Sequence, residues 1–157
     1  MVIYFTGTGN SRFLARSLAS ALEDELVSAP ELIKQNRTGS FASEKPWVFV
    51  APTYSWQLPH VFMEFIRQSS FSGNKNAYFV MTCGAEIGAP QTRIQALCRE
   101  IGLTYQGVLQ VVNGTYTPLM AGQNLPGFGA VQSGSGSLNT SSVIIPVSFR
   151  LPAGMSA

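Results

Sequence analysis

The first 112 residues alternate between short apolar runs and stretches whose apolar residues recur every three or four positions, with five such runs in all. The runs are too short for helices and suit strands that are buried on both faces of a sheet. The stretches between them have the spacing of helices with one apolar face. Parallel strands need a crossover connection of this kind. The sequence therefore predicts an α/β fold built on a parallel sheet.

The predicted elements can be placed on the chain by their boundaries. The five strands are residues 2–5, 26–27, 46–52, 77–82 and 108–112. The helices follow Ser11, cover residues 31–35, and begin near Pro59 and Pro90. Ser11 stands in the position of an N-cap for the first helix. Residues 37–43 are predicted to be a polar loop.

Charge and cysteine content exclude several classes of function. The 157 residues have a formal net charge of +2 and 11% charged residues, without a Lys/Arg cluster, so binding to nucleic acid or to a membrane surface is not expected. Cys83, Cys98 and the single histidine, His60, are too few for a zinc or a four-cysteine iron–sulfur site, so no metal is expected.

Three simple features of the sequence predict the cellular compartment of the protein. No apolar run approaches the ~20 residues of a membrane-spanning helix. The N-terminus lacks the basic region of a signal peptide. Two cysteines in a single domain of this size fit a reducing compartment, and a cytoplasmic location is expected.

One loop of distinctive composition joins the first predicted strand to the first predicted helix. It runs Thr6, Gly7, Thr8, Gly9, Asn10 and Ser11. In this position, backbone N–H groups and the helix dipole can receive a phosphate, and glycines let the backbone approach it closely. The loop is not followed by the Gly-Lys-Ser/Thr of an ATP-binding loop, and Arg12 stands where a dinucleotide-binding loop needs its third glycine. The hydroxyls and glycines suit a terminal monoester phosphate.

This loop resembles the phosphate motif of the flavodoxins. A second segment, residues 51–59 with the sequence APTYSWQLP, is similar to the loop beside the flavin ring in the flavodoxin-type domain that some anaerobe proteins carry fused to a ferredoxin module. The resemblance covers residues 1–117. It implies a flavodoxin-like sheet of five parallel strands in the order 2-1-3-4-5, helices on both faces, and non-covalently bound FMN that carries electrons.

The resemblance to the flavodoxins and the predicted strand order both imply that the cofactor lies at the carboxyl edge of the sheet. In a sheet of this order, ligands bind outside the carboxyl ends of the strands, where three distinctive loops emerge. Besides the phosphate loop, the expected cofactor-binding residues are Pro52, Thr53, Tyr54, Ser55 and Trp56 in the second loop, and Thr82, Cys83, Gly84 and Ala85 in the third. Tyr54 and Trp56 are the candidates for stacking on the flavin ring, with the choice between them left open. No residue is assigned as acid, base or nucleophile.

The resemblance ends near residue 117. The last 45 residues carry a single charged residue, Arg150, and residues 118–157 are expected to be an atypical Gly/Pro/Ser-rich tail, partly disordered or a short β segment, in place of the family's last helix. The ferredoxin cysteines are also missing, so an iron–sulfur redox partner would be a separate polypeptide. Two other functions stay open: an FMN-dependent NAD(P)H oxidoreductase, and a degenerate domain without flavin.

Overall fold

A computed structural model describes residues 1–112 and 115–118 of the chain. Eight strands and four helices lie in these ranges. The strands are β1 (Val2–Tyr4), β2 (Leu26–Ser28), β3 (Ser40–Ser43), β4 (Trp47–Pro52), β5 (Ser70–Gly73), β6 (Asn76–Cys83), β7 (Thr104–Val112) and β8 (Thr115–Pro118). The helices are α1 (Asn10–Ala21), α2 (Ala29–Lys34), α3 (His60–Gln68) and α4 (Gln91–Glu100).

Six strands form the main sheet in the order β2-β1-β4-β6-β7-β8. The first five are parallel, and Ile3 of β1 lies opposite Val27 on one side and Phe49 on the other. When the predicted strands are numbered along the chain, this is the predicted order 2-1-3-4-5, which is therefore confirmed. β8 pairs antiparallel with β7 and was not predicted.

β3 and β5 form a separate parallel ladder that the sequence did not predict. β3 occupies most of the segment predicted as a polar loop, so that prediction was wrong. The two strands are rich in serine, but each carries one phenylalanine, and Phe41 and Phe71 lie opposite each other with ring centroids 5.7 Å apart. Phe71 also packs edge-on against the buried Trp47. These aromatic contacts outweigh the weak strand propensity of the serines.

Helices cover both faces of the main sheet, as predicted. In β4 the side chains alternate, so that Val48 and Val50 belong to the core beneath α1 while Phe49 and Ala51 belong to the core beneath α3 and α4. Both cores are buried, which explains why the strand reads as an uninterrupted apolar run. The parallel strands thus form a rigid middle layer from whose carboxyl edge the loops emerge.

Residues 119–157, and residues 113 and 114 between β7 and β8, lie outside the described residues. The predictions made for residues 119–157 therefore stay untested. The proposed boundary between a domain of residues 1–117 and a tail stays a prediction. Among the described helices, none has the length and apolar character needed to cross a bilayer.

Candidate functional site

Three loops meet at the carboxyl edge of the main sheet, after β1, β4 and β6. Backbone hydrogen bonds hold them together, since Phe5 N–H donates to Val50 O (2.9 Å) and Thr53 N–H donates to Thr82 O (2.8 Å). The sequence-predicted site residues lie in these three loops and at the strand and helix ends beside them. The fold therefore brings the predicted residues into one region.

The first loop is shaped by Thr6 and Gly9. The Thr6 hydroxyl oxygen accepts a hydrogen bond from the Gly9 N–H (2.9 Å), and Gly9 has a φ of 103°, in the left-handed region that glycine tolerates. Gly9 is the N-cap of α1, so the prediction that Ser11 caps this helix was wrong. Among the described residues, no side chain caps α1 and no acidic residue lies in its first turn. The amides and the positive end of the helix dipole are thus left open toward the loop.

Ser11 joins the first loop to the third. It lies in the first turn of α1, is only 1% exposed, and its hydroxyl is 2.8 Å from the hydroxyl of Thr82. Thr82 is therefore bonded to α1 through its side chain and to the second loop through its carbonyl oxygen. Thr8 and Asn10, by contrast, are exposed or lie at the exposed start of the helix.

The second loop is a tight two-residue turn. Tyr54 and Gln57 exchange two backbone hydrogen bonds of 3.0 Å, and the residues between them, Ser55 and Trp56, have φ values of 49° and 59°. Two consecutive positive φ values are typical of a type I′ turn. Non-glycine residues in this region cost of order 1 kcal/mol each, and such strain clusters at functional sites. The turn fixes the directions in which the two aromatic side chains leave the backbone.

These aromatic side chains reach the other two loops. A methyl group added at Gly7 would lie 2.5 Å from the Tyr54 hydroxyl oxygen, so Tyr54 extends over the first loop. One added at Gly88, whose φ is 67°, would lie 2.8 Å from Cβ of Trp56, so Trp56 rests against the third loop. Tyr54 is 49% and Trp56 58% exposed. Both rings therefore keep a large open face beside the site.

Gln110, which the sequence analysis missed, supports the third loop from β7. Its side-chain oxygen accepts from Ile87 N–H (3.1 Å), and its amide group donates to Ala85 O (3.4 Å). The signal was a single amide in the otherwise apolar run of residues 108–112, close to its carboxyl end. Gly84 and Ala85 are exposed at the tip that Gln110 holds.

Neither cysteine is activated as a nucleophile. Burial raises the pKa of the Cys83 thiol; the nearby charge of Glu86 raises it further, while the Ala85 N–H lowers it. Burial in α4 raises the pKa of Cys98 to about 12. Both thiols are free. In the described ranges, no three His, Cys, Asp or Glu side chains are grouped as metal ligands.

Two buried polar atoms in the second loop have no hydrogen-bond partner among the described residues. They are Oγ1 of Thr53 and Oε1 of Gln57. Leaving such an atom unpaired costs about 1–3 kcal/mol, so each one calls for an explanation. Thr53 directly precedes Tyr54 and Gln57 directly follows Trp56, so both atoms belong to the loop that carries the exposed rings.

A crystal structure of a Bacteroides uniformis protein assigned as a flavoprotein has a TM-score of 0.55 and 18% identity, over 73% of this chain and 91% of that one. The Trp repressor binding protein of Bacillus subtilis and a flavodoxin of Streptococcus pneumoniae TIGR4 have TM-scores of 0.49 and 0.45, each at 14% identity and each over 71% of this chain, with 82% and 81% of their own chains covered. No curated protein matches.

The likeness to the Bacteroides uniformis structure shows a shared fold. The sequence itself shows the family, because the family model described as a flavodoxin domain matches residues 1–115, well over half of the chain. Its matched segment contains all three loops of the candidate site. The chain thus belongs to the family of flavodoxin domains.

Proposed function

We propose that this protein binds FMN non-covalently at the carboxyl edge of the sheet and carries electrons between redox partner proteins. One observation carries the proposal: an uncapped helix start and two exposed aromatic rings converge there, with Tyr54 over the first loop and Trp56 against the third. Membership of the flavodoxin domain family supports it.

The first loop would hold the phosphate. The open amides at the start of α1, including those of Asn10, Ser11 and Arg12, are the donors that an anion at a helix N-terminus needs. The hydroxyl of Thr8 is exposed beside them. Thr6 contributes mainly by shaping the loop, because its oxygen already accepts from Gly9.

The second and third loops would hold the ring. Trp56 and Tyr54 offer open aromatic faces for stacking, which is worth about 1 kcal/mol beyond area burial. Thr53 Oγ1 and Gln57 Oε1 would bond polar groups of the ligand and so lose their unpaired state. Cys83, Gly84 and Ala85 would border the polar edge of the ring, on the loop that Gln110 supports.

When bound, FMN supplies the electron-accepting and electron-donating chemistry that no side chain of the site provides. The chain's own residues bind and orient it. The strand ends make the site rigid, since Thr82 links α1 to the second loop. The apolar faces of Tyr54 and Trp56 would shield the ring from water.

A binding titration tests the proposal. Purified protein is added to FMN and, separately, to riboflavin, which lacks the phosphate, while flavin fluorescence and the visible spectrum are followed. We expect strong quenching with FMN and much weaker quenching with riboflavin. Equal binding of the two would contradict the phosphate site, and no quenching by folded protein would favour a degenerate domain. Rapid NADPH oxidation by the FMN-loaded protein would instead favour an oxidoreductase.

A further inference from the structure

Helix α1 presents an unusual side to solvent. Leu14, Ala15 and Leu18 face the sheet and are buried. On the outer side, Arg12 and Arg16 are exposed, and Phe13 between them is 57% exposed. We call Arg12, Phe13 and Arg16 the α1 patch. It begins three residues after Gly9, so it adjoins the candidate site.

The charges of the α1 patch are unpaired. Among the described residues, neither Arg12 nor Arg16 forms an ion pair with a carboxylate, and α1 contains no Asp or Glu. All eight acidic residues of the chain lie between Glu23 and Glu100, so the residues that the structure leaves undescribed contain none. Two arginines spaced i, i+4 repel each other by a few tenths of a kcal/mol. An anionic partner would relieve this repulsion.

Two other cations of the chain, Arg67 and Lys45, bond to groups of the protein. Arg67 bonds both Glu64 and Glu100, and Lys45 donates to the carbonyl oxygens of Leu22 and Glu23. The cluster Glu23, Asp24 and Glu25 follows the C-terminus of α1, away from the candidate site. The end of α1 that carries the site is therefore cationic, and the opposite end is acidic.

We propose that the α1 patch is the docking surface for an acidic protein. Arginine and aromatic side chains are enriched among the residues that dominate protein–protein binding, and unpaired charges steer an oppositely charged partner. Two arginines in a chain with a net charge of +2 do not form the extended positively charged surface that binds nucleic acid or an anionic membrane.

The identity of the partner rests on the proposed function. If the protein carries electrons, the partner is an acidic one-electron carrier such as an iron–sulfur protein. One electron leaves the carrier's reduced cluster and enters the bound FMN, so no further oxidant or reductant is required. The position of the patch, at the helix whose start would hold the phosphate, keeps the carrier beside the cofactor.

Binding to an acidic [4Fe–4S] ferredoxin tests the docking surface directly. Affinity is measured by calorimetry for the native protein, for the double variant Arg12→Glu/Arg16→Glu, and for Phe13→Ser. The matched control, Lys34→Glu/Arg99→Glu, makes the same change of charge in the last turns of α2 and α4. We expect affinity to fall by about tenfold or more in the double variant and severalfold in Phe13→Ser, and by less than about twofold in the control. Native affinity should also decrease as salt increases.

Several results would overturn the proposal. They are absence of ferredoxin binding, binding that is independent of salt, or an equal loss in the control. Tighter binding of basic cytochrome c would reverse the inferred charge of the partner. Tighter binding of phosphatidylglycerol vesicles or a single-stranded oligonucleotide, lost in the same variants, would replace the protein partner.

Thermal melts check that each variant is folded. If the charge reversal unfolds the chain, the neutral double variant Arg12→Gln/Arg16→Gln replaces it in the affinity measurement. An FMN titration of the native protein is run separately. Ferredoxin binding without FMN binding would contradict the electron-carrier function and leave the docking surface standing. FMN binding without ferredoxin binding would contradict the docking surface and leave the proposed function standing.

Discussion

At the scale of single residues, Tyr54 connects the two halves of the candidate site. Its backbone is fixed by paired hydrogen bonds to Gln57, and its hydroxyl lies over Gly7 in the first loop. A phenol in this position can donate to a phosphate while its ring still stacks. The residue can therefore discriminate ligands that carry a phosphate from those that do not.

Tyr54→Phe separates these two contributions. We expect FMN affinity to fall by about tenfold or more, because a hydrogen bond to a charged group is worth about 1.5–3 kcal/mol, and riboflavin affinity to change little. Fluorescence titrations with both flavins provide the measurement. A similar loss for both flavins would mean that the hydroxyl does not act on the phosphate, and Tyr54→Leu should weaken both by removing the ring.

Gly7 provides an independent test of the same contact. A methyl group at Gly7 would lie 2.5 Å from the Tyr54 hydroxyl, so Gly7→Ala must displace that side chain. We expect FMN affinity to fall by about tenfold or more, given the energies typical of a hydrogen bond to a charged group. Gly102→Ala is the control, because its added methyl would meet open space and it lies between α4 and β7, outside the three loops; a thermal melt checks for the strain expected from its φ of 75°. FMN binding by Gly7→Ala with native affinity would show that Tyr54 takes no part.

Residue types predicted which loops meet at the candidate site, but they did not predict the bonds between these loops. Thr6, Gly9 and Tyr54 lie in the predicted loops, but Ser11 was expected to cap α1 and is instead buried against Thr82. That bond joins residues 71 positions apart, and no local pattern indicates it. The left-handed turn at Ser55 was also unpredictable, since type I′ turns are signalled by Asn-Gly or related pairs.

At the scale of elements, α4 carries a thiol that ties stability to pH. Cys98 is 1% exposed in the core, and burial raises its pKa from 9.0 to about 12. The folded state therefore holds its proton over a pH range in which the unfolded chain loses it. Folding stability should decrease as pH rises from about 9 to 12, by up to about 1.4 kcal/mol per pH unit.

Cys98→Ala removes this dependence. At pH 7 we expect the variant to be about 1 kcal/mol less stable, because it leaves a small cavity. At pH 11 its disadvantage should disappear or reverse, because the native thiol is then the destabilising group. Urea unfolding at both pH values measures the difference. Burial raises the pKa of Tyr78 in both proteins. The pKa of Tyr105 is raised by burial and also by the charge of Cys98, so the second contribution is lost together with the thiol. An unchanged difference between the two pH values would be inconsistent with this assignment.

β7 supports the third loop through Gln110. Replacing it with leucine removes the acceptor of the Ile87 N–H and the donor to Ala85 O. We expect Gln110→Leu to lower the affinities for FMN and for riboflavin by the same factor, because the loop would border the ring that both flavins share. The factor should be about fivefold, since a neutral hydrogen bond is worth about 1 kcal/mol. The control is Gln106→Leu, which changes the other end of β7, where Gln106 bonds Asn76. A loss confined to FMN would place Gln110 at the phosphate end instead.

Elements with their own hydrophobic pattern were predicted, and elements that depend on distant partners were not. The main strands β1, β4 and β6 are apolar runs, and Pro46 and Pro52 mark the two ends of β4. β3 is half serine, and it becomes a strand because Phe41 packs against Phe71 from 30 residues further along the chain. β8 likewise depends on the open edge of β7.

At the scale of the whole molecule, the sheet order explains why the site lies where it does. β1 and β4 are neighbours, and the chain leaves them in loops that lead to α1 on one face and α3 on the other. Ligands of such sheets bind at this switch point. The position of the candidate site was therefore predicted from the sequence through the fold class, while the contacts between its loops required the structure.

Amide chemical shifts of the labelled protein during an FMN titration test the central claim most directly. We predict that the perturbed amides lie at the three loops, at the start of α1, around Thr53 to Gln57, and around Gly84 to Ile87. Riboflavin should perturb the second and third loops but leave the start of α1 unchanged. No perturbation by FMN, or perturbation confined to the opposite edge of the sheet around Glu23 and Lys45, would contradict the account.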